Sequence, residues 1–177
     1  MAFVSAGVED VLVRYTEDPE IDEQVRLFGE NMRFVRHRAA LSQVALASAT
    51  CLDRAAISFL ERAERSPDLS TLLRVAQALE VRPADLLRNI GPAGSRVRGP
   101  RHGDGAPAGP AARFGVNLRW ARRRAGFSQE ALALRARVDR AAISIYERGV
   151  REPNLRTILK LARALSVRPA VLLRGIE

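Results

Sequence analysis

Residues 114–176 read FGVNLRWARRRAGFSQEALALRARVDRAAISIYERGVREPNLRTILKLARALSVRPAVLLRGI, and residues 28–90 read FGENMRFVRHRAALSQVALASATCLDRAAISFLERAERSPDLSTLLRVAQALEVRPADLLRNI. The two lines align without a gap at an offset of 86, and 36 of the 63 paired positions are identical. A fixed-period repeat sets the architecture and so is weighed first. A unit of 63 residues is too long for a solenoid repeat and is the size of a small domain. The chain is therefore two copies of one module, and its function is what that module does, done twice or divided.

Each copy reads as five short helices with no strand alternation. The first covers 28–39 and 114–125. In the first copy it starts earlier, because Asp18-Pro19-Glu20 supplies a cap, a proline at the first helical position and an acid in the first turn. The second follows Ser42 and Ser128, the third Asp53 and Asp139, and the fourth Asp68 and Asn154, all N-cap residues. The fifth opens on Pro83 and Pro169. Residues 1–27 form an acidic, partly helical N-terminal segment, in which VEDVLVRY fits one helical turn or two. Residues 91–113, GPAGSRVRGPRHGDGAPAGPAAR, have the Gly/Pro/Ala composition of a flexible linker. Twenty-three residues reach at most ~80 Å, or about 25–30 Å as a flexible coil.

Charge is spread unevenly. The first copy has nine arginines against seven acids (+2), and the second has fourteen basic residues against four acids (+10). Residues 1–27 are at −5, and the whole chain is at +9. A GC-rich genome raises total arginine but explains poorly why the second copy holds so much more of it. The asymmetry points to a polyanion. The single cysteine, Cys51, forms no internal disulfide and reads as a small space-filling residue in a helix turn. No leader is expected, and no apolar stretch approaches a membrane span. The expectation is a soluble, cytoplasmic protein without a membrane partner. Two histidines, His37 and His102, and no Cys/His cluster or phosphate-binding loop argue against a metal, a cofactor or an enzyme.

The second and third helices are joined only by residues 49–53 and 135–139, as in a helix-turn-helix. The Ser-Gln opening of the second helix, the Ile-Ser-x-x-Glu-Arg close of the third and the Pro-x-Leu-x-x-Leu fourth helix resemble the phage-repressor and Cro-type (XRE) helix-turn-helix family. The resemblance covers both copies. It implies an all-α chain of two tandem five-helix lambda-repressor-like domains, residues 28–90 and 114–177, joined by the flexible linker. It also implies a sequence-specific, double-stranded-DNA-binding transcriptional regulator. In neither copy does the family's usual turn glycine appear; Cys51 and Arg137 stand there, which suggests a slightly altered turn.

Within 140–148, Ile143 and Tyr146 share the core side, leaving Arg140, Ala141, Ser144, Ile145 and Arg148 mostly on the other. Small residues let a helix lie deep in a major groove, arginine bonds guanine bidentately, and an apolar tip meets a thymine methyl. The expected base-reading set is Arg140, Ala141, Ser144 and Ile145, with Arg54, Ala55, Ser58 and Phe59 reading more weakly in the first copy. The resemblance puts Gln129 and Gln43 at the DNA backbone or a base edge. Arg135, Arg137, Arg148, Arg151 and Asn154 complete the expected backbone set. It also implies structural ion pairs, Arg122 with Glu147 and Arg36 with Glu61.

The first copy has Ser48-Ala49-Thr50-Cys51 where the second has Leu134-Arg135-Ala136-Arg137, and it loses phosphate-binding candidates there. A division of labour follows: the second module supplies most nonspecific affinity, while the first reads a weaker half-site or binds a protein through Phe59. The acidic start is a solvated helix end, or it lies near the basic second module and weakens nonspecific binding. The alternative function is a protein-interaction or antitoxin-like module with little DNA reading. RNA binding is weaker still, for want of stacking aromatics on a sheet. A homodimer presenting four heads stays open.

Overall fold

Start signals written into the chain set where each helix begins. The computed structural model describes residues 18–91, 99–100 and 109–176. Asp18 accepts from the Ile21 amide and Pro19 opens α1, Pro19–Arg38. Ser42 caps α2 (Gln43–Thr50), Asp53 caps α3 (Arg54–Glu61), Asp68 caps α4 (Leu69–Ala78), and Pro83 opens α5, Pro83–Leu86. The second module repeats the series. Pro110 opens α6 (Pro110–Arg124), Ser128 caps α7 (Gln129–Ala136) and Asp139 caps α8 (Arg140–Glu147). Asn154 caps α9 (Leu155–Ala164) and Pro169 opens α10, Pro169–Leu172. Each cap of this kind contributes about 1 kcal/mol. No described helix is long and apolar enough to cross a membrane.

Two expected boundaries move. The one between residues 27 and 28 falls inside α1, because Ile21, Gln24 and Val25 continue the buried stripe of Phe28 and Met32 one turn further back. The linker, expected to run to residue 113, ends at Gly109. Its last four residues are the first turn of α6, where Pro110 is already set for helix. Residues 1–17, 92–98 and 101–108, including VEDVLVRY, Glu17 and His102, lie outside the described residues.

Equivalent residues build both cores. Phe28 and Phe114, Met32 and Leu118, Leu46 and Leu132, and Ile57 and Ile143 are all fully buried. Each such side chain contributes roughly 1.5–3 kcal/mol. Gly29 and Gly115 let the first helix of each module lie directly on the end of the third. A Cβ on Gly29 would stand 2.6 Å from the Glu61 carbonyl oxygen, and one on Gly115 2.5 Å from that of Tyr146. The turn between second and third helices keeps the geometry a glycine would give. Cys51 and Arg137 both adopt the left-handed conformation at φ 51° and close the preceding helix with backbone bonds. The altered turn suggested by the missing glycine is absent from both modules. The backbone conformation is kept at a cost of roughly 1–2 kcal/mol for a residue with a Cβ.

The modules pack on each other, and the contacts of their backbone amides come in pairs related by the offset of 86. Leu69 N–H donates to the Pro153 carbonyl (3.1 Å), and Leu155 N–H to the Pro67 carbonyl (2.8 Å). These bonds flank an antiparallel bridge between Asp68 and Asn154. Ser70 N–H donates to the Glu152 carboxylate (3.0 Å), and Arg156 N–H to Ser66 Oγ (3.2 Å), so each module satisfies an orphan amide at the other's helix start. Helix α9 lies along α1, and α4 along α6. This is the pattern of an isologous dimer, formed within one chain. Separated heads on a tether give way to a paired arrangement, because proline-flanked loops and helix N-termini complement one another across a pseudo-two-fold axis.

Candidate nucleic-acid interface

In the recognition helices, burial separates two sides. Ile57 and Ile143 are fully buried, and Tyr146 packs half-buried against the core. Arg140, Ala141, Arg54 and Ala55 are exposed, and Ser144, Ile145, Ser58 and Phe59 are half-exposed on the same outward side. The base-reading candidates of each copy are thus brought together on one surface. The helices pairing the modules are α1 with α9, α4 with α6 and α5 with α10, which leaves both outward faces open.

A buried ion pair fixes each recognition helix. Arg122 Nε and Nη2 reach the two Glu147 carboxylate oxygens at 2.6 and 3.0 Å, and Nη1 donates to the Phe127 carbonyl at 2.8 Å. Arg36 repeats this on Glu61 at 2.5 and 3.1 Å and on the Leu41 carbonyl at 2.7 Å. The fork geometry of guanidinium and carboxylate locks the first helix to the end of the third and to the loop leading into the second. Burial alone would push both carboxyls up. Hydrogen bonds from arginine and glutamine, with the arginine charges, outweigh it and hold both below the usual carboxylate range.

The expected backbone set divides. Gln129 and Gln43 donate to Glu147 and Glu61 at 2.8 and 2.9 Å, so one amide N–H of each is committed inward and the other is aimed by that bond. Asn154 caps α9 through its carboxamide oxygen, which accepts from Thr157 N at 2.9 Å, and its backbone sits at the module junction. Arg135, Arg137, Arg148 and Arg151 are exposed, with Arg135 lying 5.0 Å over the Phe127 ring.

Acids in the two modules guard different arginines, a feature missed from the sequence. In the first, Arg62 is paired with Glu64 at 2.6 Å and also bonded to Ser58, while Arg62 and Arg65 lie over the Phe59 ring at 5.4 and 5.9 Å from its centroid. In the second, Val150 stands where Glu64 does, and Arg148 reaches back only to the Ser144 carbonyl at 3.3 Å. Glu130 approaches Arg140 at 3.8 Å between two highly exposed side chains, whereas Val44 occupies that place in the first module. The offset comparison itself carries this signal. The acidic helix start does meet the second module, at Arg156 and Arg163 of α9, but not at its outward rim.

The helix-turn-helix family matches residues 33–86 and 118–172, more than half of the chain. Among solved structures, the chain is similar to the restriction-modification controller protein C.AhdI from Aeromonas hydrophila. The two are 35% identical over 35% of this chain and 94% of that one, with a TM-score of 0.35. No curated protein matches the chain. With both modules matched and each folded as above, the chain belongs to the helix-turn-helix family of DNA-binding transcription regulators, as an XRE-type protein with its module in tandem.

Proposed function

We propose that the protein is a sequence-specific regulator, not an enzyme, that reads two half-sites of one duplex with α8 and, more weakly, α3. The observation that carries this reading is the outward side of the recognition helices: Arg140, Ala141, Ser144 and Ile145 open to solvent above a fully buried Ile143. Arginine at the helix start is suited to a guanine edge, and alanine and serine let the backbone approach the groove floor. Arg135, Arg137, Arg148 and Arg151 supply phosphate contacts, which fix register and carry the salt dependence.

Three of four reading positions are the same in both modules, namely arginine, alanine and serine; only Phe59 and Ile145 differ. With the modules paired about a pseudo-two-fold axis, the operator is an inverted repeat with closely similar half-sites. Selection of duplexes from a random pool tests this. The expected product is an inverted repeat, with affinity falling steeply as salt rises. Arg140→Ala should cost about 1–3 kcal/mol and relax specificity at one base pair of one half-site. Failure of the full chain to retain any duplex at low salt would remove the reading. The protein-interaction alternative draws support only in the first module, where Ser58 and Phe59 are engaged by Arg62.

A further inference from the structure

The face joining the modules has two layers. One is symmetric: the Leu69–Pro153 and Leu155–Pro67 bonds and the exchanged helix caps would serve two like copies equally well. The other has no counterpart across the pseudo-axis among the described residues. Arg163 donates to Asp18, at 2.9 Å through Nη1, and to Glu20 at 3.1 Å, and Arg156 pairs with Asp22. Asp18 and Arg163 are largely shielded, with side chains 14% and 30% exposed. The positions equivalent to Arg156 and Arg163 in the first module are Ser70 and Gln77. In the second module the first helix opens only at Pro110, the offset position of Gln24, so α6 carries no counterpart of Asp18, Glu20 and Asp22.

Charge therefore ranks the three possible pairings. Two second modules would set Glu152 of each copy beside Arg156 of the other but leave Arg163 without the acids of α1. Two first modules would leave their acids opposite serine and glutamine. The unlike pair alone matches three acids to two arginines. A covalent link adds an effective concentration that is millimolar for short flexible connections. A like-charge mismatch is also a known way of rejecting the wrong partner.

We propose that the pairing face of the second module is keyed to the acidic start of α1, so that the chain closes on itself as an unlike pair and recruits no second copy. Such closure is independent of what the outward faces bind. It is tested without DNA.

Cys51 is exposed, and position 137 is its equivalent in sequence and backbone conformation. Spin labels on Cys51 and on an Arg137→Cys substitution then report the separation of the modules in the full chain. Sedimentation velocity reports its mass. The expected result is a single species at the 19.5 kDa chain mass with one narrow separation. Arg156→Glu with Arg163→Glu sets acid against acid. It should broaden the separation and make the mass rise with concentration. Adding Glu20→Lys and Asp22→Lys leaves the Asp18 cap in place and should restore both readings. Circular dichroism confirms that each variant keeps its helices. A wild-type chain at twice its mass, an unchanged separation in the Arg156→Glu, Arg163→Glu chain, or a helical four-site variant that stays open would each overturn the proposal.

Discussion

The two modules share a core, caps and a buried ion pair, yet they differ in what surrounds their recognition helices. In the first, Glu64 neutralises Arg62, and two guanidinium groups, of Arg62 and Arg65, approach the Phe59 ring. In the second, valine replaces that acid, and arginines at 135 and 137 rim the turn where the first has alanine and cysteine. The difference teaches that a duplicated fold can keep its interior and diverge on its surface, because the interior is bound by close packing while a solvated rim is not.

The largest test of this contrast probes what is shared. Arg122→Ala strands Glu147 without its main partner in a shielded site and should cost about 3–5 kcal/mol, as should Arg36→Ala at Glu61. Chemical denaturation measures both. A large gap between the two values would break the equivalence of the interiors. The same network sets a pH dependence. The Glu61 and Glu147 carboxyls titrate lower folded than unfolded, so their contribution is complete above the unfolded value near 4.3 and is lost as pH falls through the folded values. The midpoint of unfolding should drop on acidification in that range and stay level above it.

Next comes the outward face. Arg140→Ala and Arg54→Ala should each weaken operator binding by about 1–3 kcal/mol, with the larger loss at Arg140 where more phosphate contacts hold the half-site. Equal losses would argue against a division of labour. Cys51→Gly should stabilise the first module by up to about 1 kcal/mol, since glycine relieves the left-handed conformation but loses more chain entropy on folding. Thermal unfolding reads that change. The smallest effect sharpens the contrast most: Glu64→Val installs the second module's residue and frees Arg62. It should steepen the salt dependence of DNA binding by roughly one phosphate contact. An unchanged slope would show that Arg62 lies out of reach of the backbone.

Much of this was legible without coordinates. Asp18-Pro19, Ser42, Asp53 and Pro83 mark helix starts because capping is a local bond between a side chain and an amide two or three residues on. The outward side of 140–148 was legible because periodicity sets Ala141 and Ile145 opposite Ile143, whereas Arg140, one turn before Ile143, lies at the edge of that face. The turn was less so. Without a glycine, Cys51 and Arg137 gave no sign of a left-handed backbone, since packing on either side imposes that conformation against local preference. The bond of Gln129 to Glu147 was hidden as well, because it joins residues on different helices.

What the chain by itself determined is the repeat, nine of the ten helix starts among the described residues and the two faces of each recognition helix, all properties of neighbouring residues or of periodic spacing. Only tertiary structure decided that the modules meet about a pseudo-two-fold axis, that Glu152 and Ser66 cap each other's helices in exchange, and that Asp18 and Asp22 close on Arg163 and Arg156. Those contacts join residues 82 to 145 positions apart. No local rule relates such residues, because their attraction exists only once two finished surfaces present complementary shape and charge.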